Sequence, residues 1–166
     1  MARIYEMGLP RKVIAGVGSV SQLSAIAEEY KAKNIILLTD KGIYETGITL
    51  AVENILSQYD ITIIKDVPPE PEYVQVLKIY NEIKHEKFDL IVAVGGGSVM
   101  DTAKILSVLA TNPEYENNIL DPTLIKNRGI KSVFIPTTAG TGSEATPNSI
   151  VVVPEKELKV GIVTSY

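Results

Sequence analysis

The apolar residues of this chain fall into two alternating rhythms. Leu90-Ile91-Val92-Ala93-Val94 runs without a polar interruption, and Asn34-Ile35-Ile36-Leu37-Leu38-Thr39 nearly repeats it. Such runs are expected of strands covered on both faces of a parallel sheet. Ile61 to Val67 alternates as a further strand, and Ser132-Val133-Phe134-Ile135-Pro136 reads as another. Between them the apolar spacing becomes helical. Leu23, Ile26 and Ala27 share one face of a segment that Ser19 or Ser21 can cap and that ends near Lys31. Val52, Ile55 and Leu56 do the same within 50–59, and Val74, Leu77, Ile79 and Ile83 follow the break at Pro68-Pro69-Glu70-Pro71. A last helix is expected from Val99 to about Thr111. Short β-type runs near Ile4 and Val13 precede all of these, and 112–129 reads as a polar surface excursion. Asn148 to Val153 and Val160 to Thr164 suggest a hairpin turning at Pro154-Glu155-Lys156-Glu157. Strands and helices alternating at this spacing predict an α/β fold. The expected architecture is a Rossmann-like open parallel sheet with helices on both faces, plus a C-terminal β-hairpin.

Composition narrows the classes. With 166 residues the chain is expected to be a single domain with a real core, and 45% hydrophobic against 22% charged residues is ordinary for a globular protein. A net charge of −4 argues against nucleic acid or an anionic membrane as a partner. No apolar run approaches the roughly 20 residues of a membrane-spanning helix, and 1–10 lacks the form of a signal peptide. Cysteine is absent, which removes thiolate and disulfide chemistry. A cytoplasmic protein is the expectation.

The candidate chemistry begins where the most apolar strand stops. Gly95, Gly96, Gly97 and Ser98 stand between that strand and a helix, so backbone N–H groups and the helix dipole converge on an anion site. Ser98 and Asp101 have the spacing of a capping box with an aspartate in the acidic place. Asp40 ends another buried strand, at the edge where open α/β sheets bind ligands. Its carboxylate suits the two hydroxyls of a ribose and would repel a 2′-phosphate; otherwise it caps the turn at Lys41-Gly42. Thr137 to Thr146 supplies hydroxyls and two glycines just past a strand, with Glu144 as the only charge. Lys104 is read as a packing or ion-pair partner of Asp101 or as a phosphate contact. Lys159 is a surface lysine by default. His85, the single histidine, is flanked by Lys84, Glu86 and Lys87, so it reads as a solvated helix end. No catalytic residue and no metal ligand set is identified.

Gly16-x-Gly18, Asp40, Gly95-Gly96-Gly97-Ser98-x-x-Asp101-x-Ala103-Lys104 and Pro136-Thr137-Thr138-Ala139-Gly140-Thr141-Gly142-Ser143-Glu144-x-Thr146 together resemble the iron-containing (group III) alcohol dehydrogenases. The resemblance spans nearly the whole chain. It implies a nucleotide-binding α/β domain in which Gly96, Gly97 and Ser98 hold the diphosphate of NAD. Thr137, Thr138, Thr141 and Thr146 would line the adenine and nicotinamide sides of the cleft, and Lys159 would reach ribose or phosphate. Asp40 lies where an acid favours NAD over NADP. Pro69-Glu70-Pro71 departs from the Pro-Asn-Pro of many members. The family's Fe²⁺ or Zn²⁺ is held by one aspartate and three histidines of an all-helical second domain, and these 166 residues hold none of those ligands. The resemblance therefore implies the cofactor half of an enzyme that passes hydride between NAD(H) and a metal-bound alcohol or aldehyde, inactive by itself. A homo-oligomer is expected. The competing reading is a stand-alone nucleotide-binding or interaction module, and a phosphotransferase is disfavoured by the lack of an acid within the glycine loop.

Overall fold

The computed structural model describes residues 10–163. Its centre is a four-stranded, all-parallel sheet in the order β2-β1-β3-β4, with β1 at Asn34–Thr39, β2 at Asp60–Ile64, β3 at Leu90–Gly95 and β4 at Lys131–Pro136. Parallel neighbours need crossovers, and helices supply them. Helices α1 (Leu23–Glu29) and α3 (Thr49–Ile55) cover one face, while α4 (Tyr73–Ile83) and α5 (Gly97–Leu109) cover the other. A short helix α2 (Lys41–Glu45) follows β1. Strands β5 (Asn148–Val153) and β6 (Leu158–Val163) form a separate antiparallel hairpin against α5.

The unbroken apolar runs are explained by the pleat. Successive side chains of a strand point to opposite faces. Leu90, Val92 and Val94 therefore join Leu23, Val52 and Leu56 in one core, while Ile91 and Ala93 join Val76, Ile79 and Leu106 in the other. In β1, Ile35 and Leu37 divide from Ile36 and Leu38 in the same way. The two central strands β1 and β3 thus each serve two cores, and a polar residue on either face of them would be buried. Helix α5 is buried almost all round because it is packed between the sheet and the hairpin. No helix of the described residues is long and apolar enough to cross a membrane.

Several expectations need correction. The run around Val13 forms no strand and Val13 is 76% exposed, while Ile4 lies outside the described residues. A β-type run becomes a strand only where an edge completes its hydrogen bonds. No serine caps α1, which grows out of a 3₁₀ turn at Ser19–Gln22 preceded by Gly18 at φ 77°. Helix α3 and strand β2 stop short of the expected Tyr59 and Val67. The buried stripe of α4 is Val76, Ile79, Tyr80 and Ile83, at i, i+3, i+4 and i+7, and it leaves Val74 exposed.

The excursion at 112–129 is anchored rather than loose. Asn112 is buried, its Oδ1 accepts from the N–H groups of Lys126 and Asn127 at 2.8 Å each, and its amide donates to Asn127 O at 2.9 Å. Tyr115 is fully buried, with its hydroxyl donating to Ile119 O. Burial lifts the Tyr115 phenol far above its ordinary range, and the Asp121 charge adds to the effect.

Candidate functional site

Three strand ends meet at one edge of the sheet. Thr39 pairs with Val94 and Gly95 with Pro136, so Asp40, the glycine run and the threonine loop leave the sheet side by side. The Thr39 hydroxyl donates to Val94 O at 2.7 Å, and Thr137 N donates to Gly95 O at 3.0 Å. In a parallel sheet with helical crossovers, helix N-termini also point to this edge.

The glycines have separate reasons to be there. A Cβ on Gly95 would lie 2.5 Å from the Val99 side chain, so its absence lets α5 approach the strand. Gly96 is the N-cap of α5, with Met100 N donating to its carbonyl at 3.1 Å as the first bond of the helix. The N–H groups of Gly97, Ser98 and Val99 precede that bond and have no carbonyl to donate to within the helix. Added Cβ atoms would come within 3.0 Å of Thr138 Oγ1 at Gly96 and 3.2 Å of Ser143 Oγ at Gly97. The threonine loop therefore lies directly against the glycines. Its turn at Gly140 and Gly142, with φ 82° and 70°, needs a left-handed backbone that glycine adopts freely.

The capping box expected of Ser98 and Asp101 does not form. The helix opens earlier, at Gly97, and the Ser98 Oγ accepts from Glu70 N at 3.0 Å. Asp101 is buried, and both of its oxygens are engaged. Oδ1 accepts from Lys104 Nζ at 3.0 Å and Oδ2 from Ile150 N at 3.0 Å. Lys104 is fully buried and also donates to Asn148 O at 2.6 Å. Burial lowers the lysine's pKa, and the Asp101 charge opposes that shift. The pair bolts the hairpin to α5, which settles the open reading of Lys104 in favour of an ion pair.

The result is a cleft of about 220 Å³ between the N-terminus of α5, the threonine loop and the hairpin. Of the residues expected in a binding site, Gly97, Ser98, Asp101, Thr141 and Lys159 line it. Gly96 and Thr138 meet beside it. Gly95, Asp40, Thr137 and Thr146 are not in its wall. Asp40 is the N-cap of α2, where its Oδ1 accepts from Ile43 N at 2.9 Å. Ser143 enters with the threonine loop, whereas sequence reasoning missed Ile150 and the pairing of Glu70 with Lys159. The Glu70 carboxylate meets Lys159 Nζ at 2.5 Å, and Val152 N donates to Pro71 O at 3.0 Å. The Pro-flanked position of Glu70 was the available signal, since it forces the chain to turn beside the sheet edge.

Comparison with known proteins agrees with this geometry. The sequence profile described as iron-containing alcohol dehydrogenase matches residues 10–166. A long-chain-alcohol dehydrogenase of Geobacillus thermodenitrificans is 35% identical over 141 residues, covering 82% of this chain and 36% of that protein. A mitochondrial hydroxyacid-oxoacid transhydrogenase of Caenorhabditis briggsae is 35% identical over 158 residues, 89% of this chain and 33% of that one. Among solved structures, an iron-containing alcohol dehydrogenase of Thermotoga maritima superposes with a TM-score of 0.88 at 29% identity, covering 98% of this chain and 46% of that one. The chain therefore spans between a third and a half of the length of these relatives. With the profile matched from residue 10 onward and the fold superposed along nearly its whole length, this chain belongs to the iron-containing alcohol dehydrogenase family.

Proposed function

We propose that residues 1–166 form a dinucleotide-binding domain that holds NAD(H) for an alcohol dehydrogenase, with a small alcohol or aldehyde as the substrate of the whole enzyme. The observation that carries this is the N-terminus of α5. Its unpaired first-turn N–H groups open on a cleft whose wall lacks a Cβ at Gly97 and which has Lys159 on its rim. A diphosphate fits that donor set by charge and by space. Gly96, Gly97 and Ser98 would hold the diphosphate, and Thr138 and Thr141 would contact the rest of the nucleotide. Asp40 would accept from the ribose hydroxyls, since capping α2 uses one of its two carboxylate oxygens. When bound, NAD supplies a hydride acceptor for the alcohol carbon. The residues of this chain bind and orient it and exclude water from the face packed on the glycines.

The family's iron does not fit the described residues. Among them no group of three or more His, Cys, Asp or Glu is placed to hold a metal ion, and His85 is exposed beyond the C-terminus of α4. Hydride loss from an alcohol needs a group that takes or stabilises the hydroxyl proton, and the charged side chains that line the cleft, Glu70, Asp101 and Lys159, are each engaged with a protein partner. The reading therefore assigns these residues cofactor binding rather than turnover.

Calorimetric titration with NAD, NADP and ADP-ribose tests the proposal. NAD and ADP-ribose are expected to bind, with NADP weaker, and absence of binding by all three at millimolar concentration would overturn it. Asp40→Gly is expected to shift the NADP-to-NAD affinity ratio toward NADP by about tenfold, about 1.4 kcal/mol. Glycine also serves as an N-cap, so the fold should lose only a few tenths of a kcal/mol.

A further inference from the structure

Glu70 is an unexpected residue for its backbone. Its φ is +49°, in the left-handed region that asparagine and glycine enter with little strain and glutamate does not favour. Its N–H is donated to Ser98 Oγ, so this strained turn is tied directly to the first turn of α5. Its carboxylate reaches across to the hairpin and holds Lys159.

Charge bookkeeping in the cleft gives that contact a consequence. The lining residues with charged side chains are Glu70, Asp101 and Lys159. Asp101 is neutralised by buried Lys104, and Lys159 is taken up by Glu70. The cleft therefore presents a diphosphate with helix N–H groups but no uncommitted cation, and with a carboxylate at its rim. The ion pair is open to solvent, with side chains 55% and 67% exposed, so it can exchange partners.

We infer that Glu70 is a specificity-determining residue: its carboxylate competes with the cofactor's diphosphate for Lys159 and so sets how strongly the cleft takes phosphate-bearing ligands. This rests on the nucleotide reading of the cleft. Ligand entry moves Lys159 from Glu70 to a phosphate oxygen and turns the carboxylate outward. A ligand without phosphate gains nothing from Lys159 and does not meet that repulsion.

Calorimetry on the 166-residue chain, with ADP-ribose and with adenosine as probes, tests the inference. Glu70→Gln keeps the shape and removes the charge, and it is expected to tighten ADP-ribose about tenfold while leaving adenosine unchanged. Glu70→Asn, which suits the backbone better, should give the same gain. Lys159→Met should cost less than about threefold in the native background but about tenfold in the Glu70→Gln background, because only there is the lysine free before binding. Equal or weaker ADP-ribose binding by Glu70→Gln, or an equal gain for adenosine, overturns the inference while leaving the nucleotide site intact. Binding of ADP-ribose by neither chain overturns the nucleotide reading, and the inference falls with it.

Discussion

The sheet has a hollow at each end, and the two differ in what surrounds them. At the N-terminal ends of the strands lies a cavity of about 320 Å³ lined by Asn34, Asp60, Thr62, Glu86, Lys87 and Phe88. At the C-terminal ends lies the smaller cleft of about 220 Å³. Size favours the first, and chemistry favours the second. The larger hollow is lined by the turn that follows α4, with the carboxylates of Asp60 and Glu86 beside Lys87, and Thr62 already donates to Glu86 at 2.8 Å, so no helix N-terminus opens into it. The smaller cleft receives the N-terminus of α5 and a wall without a Cβ at Gly97. Concavity alone does not mark a site. The direction of the helices does.

The sharpest way to break the comparison is to remove one aspartate from each end. Asp101→Ala leaves Lys104 buried without its counter-charge and unfastens Ile150 N, and the expected loss is about 3–5 kcal/mol by urea unfolding. Asp89, at the N-terminal edge, accepts from Lys33 N at 3.0 and 3.1 Å in an exposed setting. Its removal is the smallest effect expected here, about 1 kcal/mol or less. Equal losses at the two positions would show that the hairpin is not bolted to α5 by the buried pair.

Next in size is the alkaline limb of stability. Tyr115 lies beyond the C-terminus of α5, and its folded pKa is raised, by burial first and by Asp121 second. The unfolded phenol ionises near pH 10 while the folded one stays protonated. The stabilisation is therefore fully present below about pH 10 and is lost as pH rises beyond it, by up to about 1.4 kcal/mol per pH unit. Lys104 pulls the other way, since its lowered folded pKa favours the folded state as pH climbs toward the lysine's ordinary value. Comparing Tyr115→Phe with the native chain across alkaline unfolding curves isolates the tyrosine, and the variant should show the shallower fall.

A smaller and more local effect separates the cleft from the fold. Gly97→Ala places a Cβ 3.2 Å from Ser143 Oγ in the cleft wall, at a helical position alanine tolerates. NAD affinity is expected to fall about tenfold, about 1.4 kcal/mol, with little change in the unfolding midpoint. Unchanged affinity would move the diphosphate away from this helix.

Much of this was legible before any coordinates. The four parallel strands, the two helical layers and the hairpin follow from runs that only a doubly covered sheet can bury, and the glycine run after Val94 marks the helix N-terminus by itself. Local pattern failed where a residue's partner is distant in sequence. Val13 has the composition of a strand but pairs with no strand among the described residues. Ser98 and Asp101 have capping spacing, yet their partners are Glu70 and Ile150, 28 and 49 residues away. Asn112 and Tyr115 look like loop residues and are buried, because the excursion folds back on the end of α5.

The sequence by itself determined the fold class, the strand that carries the site and the elements available to hold an anion, because hydrophobic period and glycine placement act within a few residues. Only the tertiary structure decided that Asp101 fastens the hairpin to α5, and that Glu70 stands opposite Lys159. Glu70 and Lys159 are 89 residues apart in the chain. Charges interact through space, and what they mean for the cleft is fixed only when the sheet edge brings them together.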